Sequence, residues 1–291
     1  MTGPLHLYRA YGLSIESSLA IPGAKTAIAP FELPDIVVAE GCTAIGAVDA
    51  TSGPYSRSGA ALLLEVPGVA RYLAPSSAEL VIEQSADADP DEVAALLVAT
   101  ALPMLLWMRS GIVLHAAGIV LPGCSSAVAL AGPSGIGKST LAHRLVERGA
   151  NFVGDDSLLV SSDGNGPQVT GLCASCFLPA PDAAQRVAHA IPAARQTERA
   201  PLGALVVLAR ANSGSARPPV RLTGPEALEA LLQNRHRPRV PALVGRNAAV
   251  LTDMVTLIRD VPIYQVEIPD GDTAGAQARL LTLAETLREA R

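Results

Sequence analysis

The chain has 291 residues, of which 49% are hydrophobic and 17% are charged, so it can build a large folded core and is not intrinsically disordered. Its net charge of −5 provides no overall attraction to nucleic acid or to an anionic membrane surface. Four cysteines, and no charged-then-apolar leader pattern over Met1 to Ala10, favour a protein of the reducing cytoplasm with unpaired thiols.

The first part of the chain, residues 1–88, is predicted to be a β-rich domain. Its short apolar or alternating runs are separated by Gly, Pro and Ser, which is typical of strands joined by turns. These runs are Leu5 to Ile15, Asp35 to Ala39, Ala60 to Val66 and Glu79 to Glu83. No chemistry is visible in them, so a structural or partner-docking role is the favoured interpretation.

An almost wholly apolar stretch, Val93 to Met108, follows. At 16 residues it is shorter than the roughly 20 that a membrane-spanning helix needs, and it contains Pro103. The length and composition of this stretch therefore predict a buried helix. Asp89 is suited to cap this helix and Pro90 to occupy its first position, so the second domain is expected to span residues 89–291.

Beyond this helix, strand-like and helix-like segments alternate, which predicts an α/β architecture. Two apolar runs, Ile112 to Leu121 and Ala127 to Ala131, are separated by a connection short enough for a β-hairpin. Further strands are predicted at Phe152 to Val153, Leu158 to Val160, Leu205 to Ala209 and Ile263 to Ile268, and helices at Ser139 to Arg148, Glu226 to Gln233 and Ala274 to Arg288.

The second apolar run leads into a sequence that fits the phosphate-loop pattern G-x-x-x-x-G-K-S. Glycines let backbone N–H groups point at phosphate oxygens, and the helix that follows adds the positive end of its dipole. Lys138 is expected to reach the β and γ phosphates of ATP, and the Ser139 hydroxyl to bind Mg²⁺. The predicted nucleotide-binding residues are Gly132, Pro133, Ser134, Gly135, Ile136, Gly137, Lys138, Ser139 and Thr140. A chance glycine-rich turn is the alternative.

Two adjacent carboxylates, Asp155 and Asp156, come at the end of the next predicted strand. A helix carries the chain away from the phosphates and this strand brings it back, so the carboxylates should lie near the loop. Adjacent side chains in extended backbone point to opposite sides, so one is expected to serve Mg²⁺ and the other to accept the proton of an attacking hydroxyl. An ordinary turn that caps the strand is an equal alternative.

His115 lies in the first strand of the predicted hairpin. If Leu121 faces Ser126, counting back places His115 opposite Gly132 and beside the phosphates. An imidazole there can bind a phosphate oxygen or tune a neighbouring carboxylate. A histidine buried in the core for structural reasons is an equal alternative.

Three segments together resemble the catalytic domain of the HPr kinase/phosphorylase family. They are Leu114 to Val120, the loop Gly132 to Ser139, and the run Arg148 to Asp156 with its closing pair of aspartates. The resemblance implies a phosphate-loop kinase domain with a central mixed β-sheet flanked by helices, and a possible homo-oligomer. It also implies that His115 and Lys138 are active-site residues, that Ser139 binds Mg²⁺, and that Asp156 accepts the proton of a substrate serine. Of the two aspartates, this leaves Asp155 as the candidate to serve Mg²⁺.

Two further features bear on the substrate. Gly245-Arg246-Asn247 is similar to a family segment with a catalytic arginine, which makes Arg246 a candidate. The run Tyr8 to Leu13 looks like the amino-terminal part of the related kinases of lasso-peptide biosynthesis, which phosphorylate a serine of a precursor peptide. That likeness implies a peptide or small protein as the acceptor.

Several alternatives stay open. A bifunctional kinase/phosphorylase that acts on HPr is the nearest one, and a nucleotide-responsive binding module without phosphoryl transfer is the alternative of another class. The basic run Arg235, His236, Arg237 and Arg239 can bind phosphate or an acidic peptide, although such runs are usually solvated loops. Cys173 and Cys176 have the spacing of a zinc or redox pair but lack a second pair, so two ordinary thiols are expected.

Overall fold

The computed structural model describes residues 5–180, 186–211 and 217–268, together with residues 275, 278, 280 and 282. The amino-terminal part forms a mixed sheet in the order β3-β1-β2-β4-β9-β8-β7-β6-β5. Its strands are β1 (His6–Ala10), β2 (Leu13–Ser17), β3 (Lys25–Thr26), β4 (Ile36–Glu40), β5 (Ala50–Ser52), β6 (Tyr55–Ser58), β7 (Ala61–Val66), β8 (Ala70–Ser76) and β9 (Glu79–Gln84). Strand β4 runs parallel to β2 and β9, and the other pairings in this sheet are antiparallel.

A second mixed sheet carries the phosphate loop. Its path is β10-β14-β15-β18-β12-β11-β13, and β20 extends it from β18, followed by β19. The strands are β10 (Ile112–Leu114), β11 (Ala116–Val120), β12 (Ala127–Ala131), β13 (Asn151–Gly154), β14 (Leu158–Asp163), β15 (Gly166–Thr170), β18 (Arg199–Arg210), β19 (Val220–Leu222) and β20 (Ile263–Ile268). A separate hairpin pairs β16 (Ser175–Pro179) with β17 (Arg186–Ala190).

Helices lie between and beside these sheets. They are α1 (Pro90–Leu96), a π-helical turn (Leu97–Ala101), α2 (Leu102–Met108), α3 (Lys138–Glu147), α4 (Gly224–Gln233), α5 (Val240–Leu243) and α6 (Asn247–Asp260), with a short 3₁₀ turn at Ala193–Arg195. The chain is therefore a mixed α/β protein, in agreement with the predicted fold class.

The apolar helix Pro90–Met108 is long and apolar enough to cross a membrane by length and composition, but 67% of it is buried inside the protein. The Asp89 side chain caps it by accepting the N–H of Asp91, and Pro90 begins it, as predicted. The interpretation of this stretch as a buried helix is confirmed. Leu97 and Leu102 of this helix share one buried core with Ile15 of the first sheet and Leu158 of the second, so a continuous core joins the two predicted domains.

Several elements differ from the sequence-based expectation. The run Leu5 to Ile15 is a hairpin rather than a single strand, because the chain turns at Tyr11 and Gly12. The run Ile112 to Leu121 is divided at His115 into two strands that pair with different neighbours. Several elements were not predicted, namely helices α5 and α6 and strands β3, β5, β6, β8, β15, β16, β17 and β19. Most of the predicted closing helix, Ala274 to Arg288, lies outside the described residues; the four that are described there are helical.

Candidate active site

The predicted phosphate loop has the expected strand before it and the expected helix after it, since β12 ends at Ala131 and α3 begins at Lys138. Two of its glycines are required by the backbone. Gly132 has a φ of 134° and packs closely against the neighbouring strand β18. A Cβ on Gly132 would lie 2.6 Å from the carbonyl oxygen of Leu208. Gly137 caps α3 with a φ of 100°. These conformations leave the helix start open to an anion, as phosphate binding requires.

The side chain of Lys138 folds back over the loop. Its ammonium donates to the carbonyl oxygens of Gly132 at 2.7 Å and Pro133 at 3.1 Å. Burial lowers the pKa of Lys138 below its ordinary value, and the nearby carboxylates of Asp155 and Asp156 oppose that shift. The ammonium is thus placed at the beginning of the loop by hydrogen bonds to main-chain oxygens.

Asp155 lies against the start of α3. Its Oδ1 accepts the hydroxyl of Ser139 at 2.9 Å, and the thiol of Cys176 lies 3.7 Å from Oδ2. Burial raises the pKa of Asp155, the Ser139 hydrogen bond opposes that shift, and the charge of Asp156 adds to it. The two residues predicted to serve Mg²⁺ are therefore in direct contact, in a buried place where the carboxylate has neutral partners.

Asp156 turns the other way. The expectation of extended backbone at the two aspartates is wrong, because Asp156 has a φ of 67° and the N–H of Ser157 donates to the carbonyl of Asp155 at 2.8 Å. This tight turn separates the two carboxylates. Asp155 faces Ser139, and Asp156 faces His115.

His115 lies where the hairpin register predicts. Ala116 pairs with Ala131, which places His115 opposite Gly132. The Nδ1 atom of His115 lies 3.0 Å from the backbone oxygen of Asp156 and 3.6 Å from its Oδ1. Burial and then the charge of Lys138 lower the pKa of His115, so the ring is neutral near pH 7. Because a carbonyl oxygen only accepts, Nδ1 carries the proton.

A second histidine, His236, also lies near Asp156. Its Nε2 lies 4.0 Å from Oδ2 of Asp156, and its ring centre is 5.5 Å from that of His115. Burial lowers the pKa of His236 to about 4. Arg186 also approaches, with Nη1 3.9 Å from Oδ1 of Asp156. Two neutral imidazoles and a guanidinium thus surround this carboxylate.

His115, Asp156 and His236 are close enough together to suggest a metal site, since their possible ligand atoms all lie within 4.8 Å of one another. Their hydrogen bonds argue against one. Nε2 of His236 lies 2.9 Å from the carbonyl oxygen of Ala99, so it also acts as a donor. The nitrogens nearest to Asp156 thus carry protons instead of lone pairs, and each donates its proton to a backbone carbonyl oxygen, His115 to that of Asp156 and His236 to that of Ala99.

The segment that holds His236 is attached to the phosphate loop. The side-chain oxygen of Asn234 accepts the N–H of Gly132 at 2.7 Å, and its amide nitrogen donates to Ala230 at 2.8 Å. The N–H of His115 donates to the backbone oxygen of Asn234 at 2.7 Å. One buried asparagine therefore joins the phosphate loop, the backbone at His115 and the end of α4.

The apolar helix anchors the same segment. In its π-helical turn, the carbonyl oxygen of Ala99 accepts from His236 Nε2 and from Arg237 Nε, both at 2.9 Å. The indole of Trp107 donates to the backbone oxygen of His236 at 2.6 Å. A π-helical turn changes the usual pattern of helix hydrogen bonds, and such turns are frequent at functional sites.

These groups border a cavity of about 540 Å³. Its lining includes the beginning of the phosphate loop and both histidines, with Asp156 between them. Arg235 and Arg237 supply positive charge to the same space, so part of the basic run lines a cavity. Sequence reasoning flagged this run only as a weak candidate, and nothing in the sequence marked Asn234.

Arg246, the remaining candidate catalytic residue, is not brought to this cavity. It precedes α6, and its guanidinium donates to the backbone oxygens of Trp107 and Arg109 and lies 3.6 Å from Asp253. These contacts join α6 to the end of α2.

Cys173 and Cys176 are buried and form no disulfide. Burial raises the pKa of both thiols, in keeping with two ordinary thiols.

Comparisons with known proteins add little to this geometry. No protein-family model and no curated protein matches the chain. Among solved structures, the Hpr(Ser) kinase/phosphatase from Coxiella burnetii is similar over 61% of this chain and 93% of its own, with 14% sequence identity and a TM-score of 0.42. A likeness this weak carries no argument about the reaction, so any functional conclusion depends on the residues around the cavity.

Proposed function

We propose that this protein is a kinase that uses ATP and Mg²⁺ to transfer the γ-phosphoryl group to a serine hydroxyl of a peptide or small protein. One observation carries the proposal. On a single turn, Asp155 hydrogen-bonds the phosphate-loop Ser139, while Asp156 faces a cavity that also reaches the beginning of the same loop. This arrangement supports the proposal that Asp155 is a metal-binding carboxylate and that Asp156 is a proton acceptor near the terminal phosphate.

The nucleotide phosphates are assigned to the loop Gly132 to Ser139 and to Thr140. The backbone N–H groups of the loop and the start of α3 attract the phosphate oxygens. Lys138 is already at the beginning of the loop, and its contacts there are with neutral carbonyl oxygens. Its ammonium can exchange these for phosphate oxygens and offset the charge that develops during transfer.

Ser139 and Asp155 are the residues that would hold Mg²⁺. The donor set fits this ion, which prefers hydroxyl and carboxylate oxygens. Among the described residues, no Lys, Arg or His nitrogen is paired with the Asp155 carboxylate, so its buried charge has no cationic partner. When bound, Mg²⁺ supplies positive charge to the phosphates and helps to orient them.

Asp156 is assigned as the proton acceptor. The serine oxygen forms a bond to the γ-phosphorus, the bond from this phosphorus to the bridging oxygen of ADP breaks, and the serine proton passes to the Asp156 carboxylate. His115 holds the turn by donating to the backbone oxygen of Asp156. Arg186 Nη1 lies 3.9 Å from Oδ1 of this carboxylate, and His236 Nε2 lies 4.0 Å from its Oδ2.

The acceptor is proposed to be a serine of a precursor peptide, because the amino-terminal run Tyr8 to Leu13 resembles that of lasso-peptide kinases. The cavity is lined by Arg235 and Arg237, so acidic side chains close to the target serine would be favourable. A cytoplasmic location and possible self-association are parts of the same proposal.

The test is incubation with γ-labelled ATP, Mg²⁺ and a panel of serine-containing peptides and small proteins, HPr included. We expect label on a serine, strongly slowed transfer by Asp156→Asn, and full transfer by Asp163→Asn, which removes an exposed carboxylate that pairs with Arg199. Return of label from a phosphoserine product to inorganic phosphate would identify a bifunctional enzyme. Nucleotide binding without transfer to any acceptor would favour a nucleotide-responsive binding module instead.

A further inference from the structure

The turn of the first hairpin has an unusual backbone. Strands β1 and β2 pair from His6 opposite Ser17 to Ala10 opposite Leu13, which leaves Tyr11 and Gly12 as a two-residue turn. Both have positive φ, 55° for Tyr11 and 73° for Gly12. Two-residue turns of this kind favour Asn or Gly, and a bulky residue with positive φ is uncommon. The surroundings of Tyr11 must therefore hold it in place.

Those surroundings belong to the aspartate turn. Tyr11 is only 2% exposed, and its hydroxyl shares a hydrogen bond of 2.6 Å with the hydroxyl of Ser157, which is 1% exposed. The N–H of Tyr11 donates to the carbonyl oxygen of Gly171 at 3.1 Å. The hairpin of the amino-terminal sheet thus ends against the residue that follows Asp156.

The receiving side is closely packed. Gly154, which precedes the aspartates, lies so near Gly171 that a Cβ on Gly154 would be 2.9 Å from the Cα of Gly171. The backbone before the aspartates and the backbone at Gly171, which Tyr11 contacts, therefore have little room to move separately. Asp156 itself has positive φ without being glycine, so its turn also depends on external contacts.

We propose that Tyr11 is a positioning residue for Asp156, acting through its hydrogen bond to Ser157. The aspartate turn is held on one side by His115, which binds the backbone oxygen of Asp156, and on the other side by Tyr11. The amino-terminal β-rich part, in which the sequence shows no chemistry, thus sets the direction of the Asp156 carboxylate. Its consequence for catalysis rests on the proposed function, whereas its consequence for the turn does not.

A purely structural role for Tyr11 has a different signature. The ring fills space in the core, and phenylalanine would fill the same space without the hydroxyl. Tyr11→Phe therefore separates the hydrogen bond from the packing. Tyr72→Phe is the matched control, because Tyr72 is also in the first sheet and its hydroxyl donates to the carbonyl oxygen of Val93 at 2.9 Å instead of to a residue of the aspartate turn.

The experiment combines two readouts on the full chain. Amide hydrogen exchange over residues 153–159 reports the turn without any need for activity. We expect Tyr11→Phe to increase exchange there about 5- to 30-fold, as loss of one buried hydrogen bond predicts, and Tyr72→Phe to leave it unchanged. In the phosphoryl-transfer assay, Tyr11→Phe should lower kcat about 10- to 100-fold with little change in KM for ATP.

Ser157→Ala provides an independent route to the same conclusion. It should reproduce both effects, and the double variant should be no worse than either single variant, because each removes the same hydrogen bond. Unchanged exchange at residues 153–159 in both single variants would overturn the proposal. If the wild-type protein transfers no phosphate but Tyr11→Phe still loosens the turn, the kinase assignment fails and the positioning of the turn by Tyr11 stands.

Discussion

Replacing Asn234 with alanine should loosen the phosphate loop. The Asn234 side chain accepts the N–H of Gly132 and donates to the carbonyl of Ala230. That carbonyl also accepts the backbone N–H of Asn234 at 3.2 Å, and this bond survives the substitution. The main loss is therefore the partner of one buried N–H at the first glycine of the loop.

The expected loss of stability follows from the loss of this one hydrogen-bond partner. An unsatisfied buried donor costs about 1–3 kcal/mol, and water entering from the cavity beside Gly132 would partly replace the amide. We expect the free energy of unfolding to fall by about 1–2 kcal/mol. For a chain of this size the melting temperature should fall by about 2–8 °C. Nucleotide affinity should weaken about tenfold, because the loop loses preorganisation before it binds.

Urea denaturation and calorimetric titration of Mg-ATP measure the two effects. Asn165→Ala, which removes an exposed amide, is the control and should change neither quantity. The reasoning is refuted if Asn234→Ala matches the wild type in both measurements. A loss of stability with unchanged nucleotide affinity would contradict the link between Asn234 and the loop.

Two further predictions concern the metal site and the buried histidine. In the wild type, Mg²⁺ should tighten the binding of ATP, and Ser139→Ala should reduce this effect at least about tenfold while leaving Mg-free binding similar. Titrations of ATP with and without Mg²⁺ measure the effect. An effect of Mg²⁺ that is the same in the variant and the wild type would contradict the assignment. His236 has a folded pKa of about 4, below the ordinary value of 6.5, so its contribution to stability is complete above pH 6.5 and is lost as the pH falls toward 4. The change is at most about 3 kcal/mol, and urea unfolding of His236→Asn should show a flatter pH dependence in this window than the wild type.

Part of the site could be predicted because it depends on local sequence. The phosphate loop is a continuous motif between a strand and a helix, and both were found as expected. The position of His115 followed from the short hairpin connection, because a tight turn fixes the register of the strands that it joins. Apolar composition and capping residues likewise identified the buried helix that begins at Pro90.

Other parts depend on contacts between residues far apart in the chain. Asn234 is 102 residues from Gly132, and the His236 segment near Asp156 is held in part by hydrogen bonds to Ala99 and from Trp107. No local pattern encodes these pairings. The left-handed backbone at Asp156 was missed for a similar reason, since aspartate there gives no glycine signal and the turn is stabilised by its neighbours.

The central claim is that Asp156 accepts the proton of a serine during phosphoryl transfer. Single-turnover measurement of labelled phosphate, together with titration of Mg-ATP, tests it in wild type and Asp156→Asn. We predict that the variant binds Mg-ATP with nearly unchanged affinity and transfers phosphate about 10²- to 10⁴-fold more slowly. Transfer by Asp156→Asn at the wild-type rate would contradict the account.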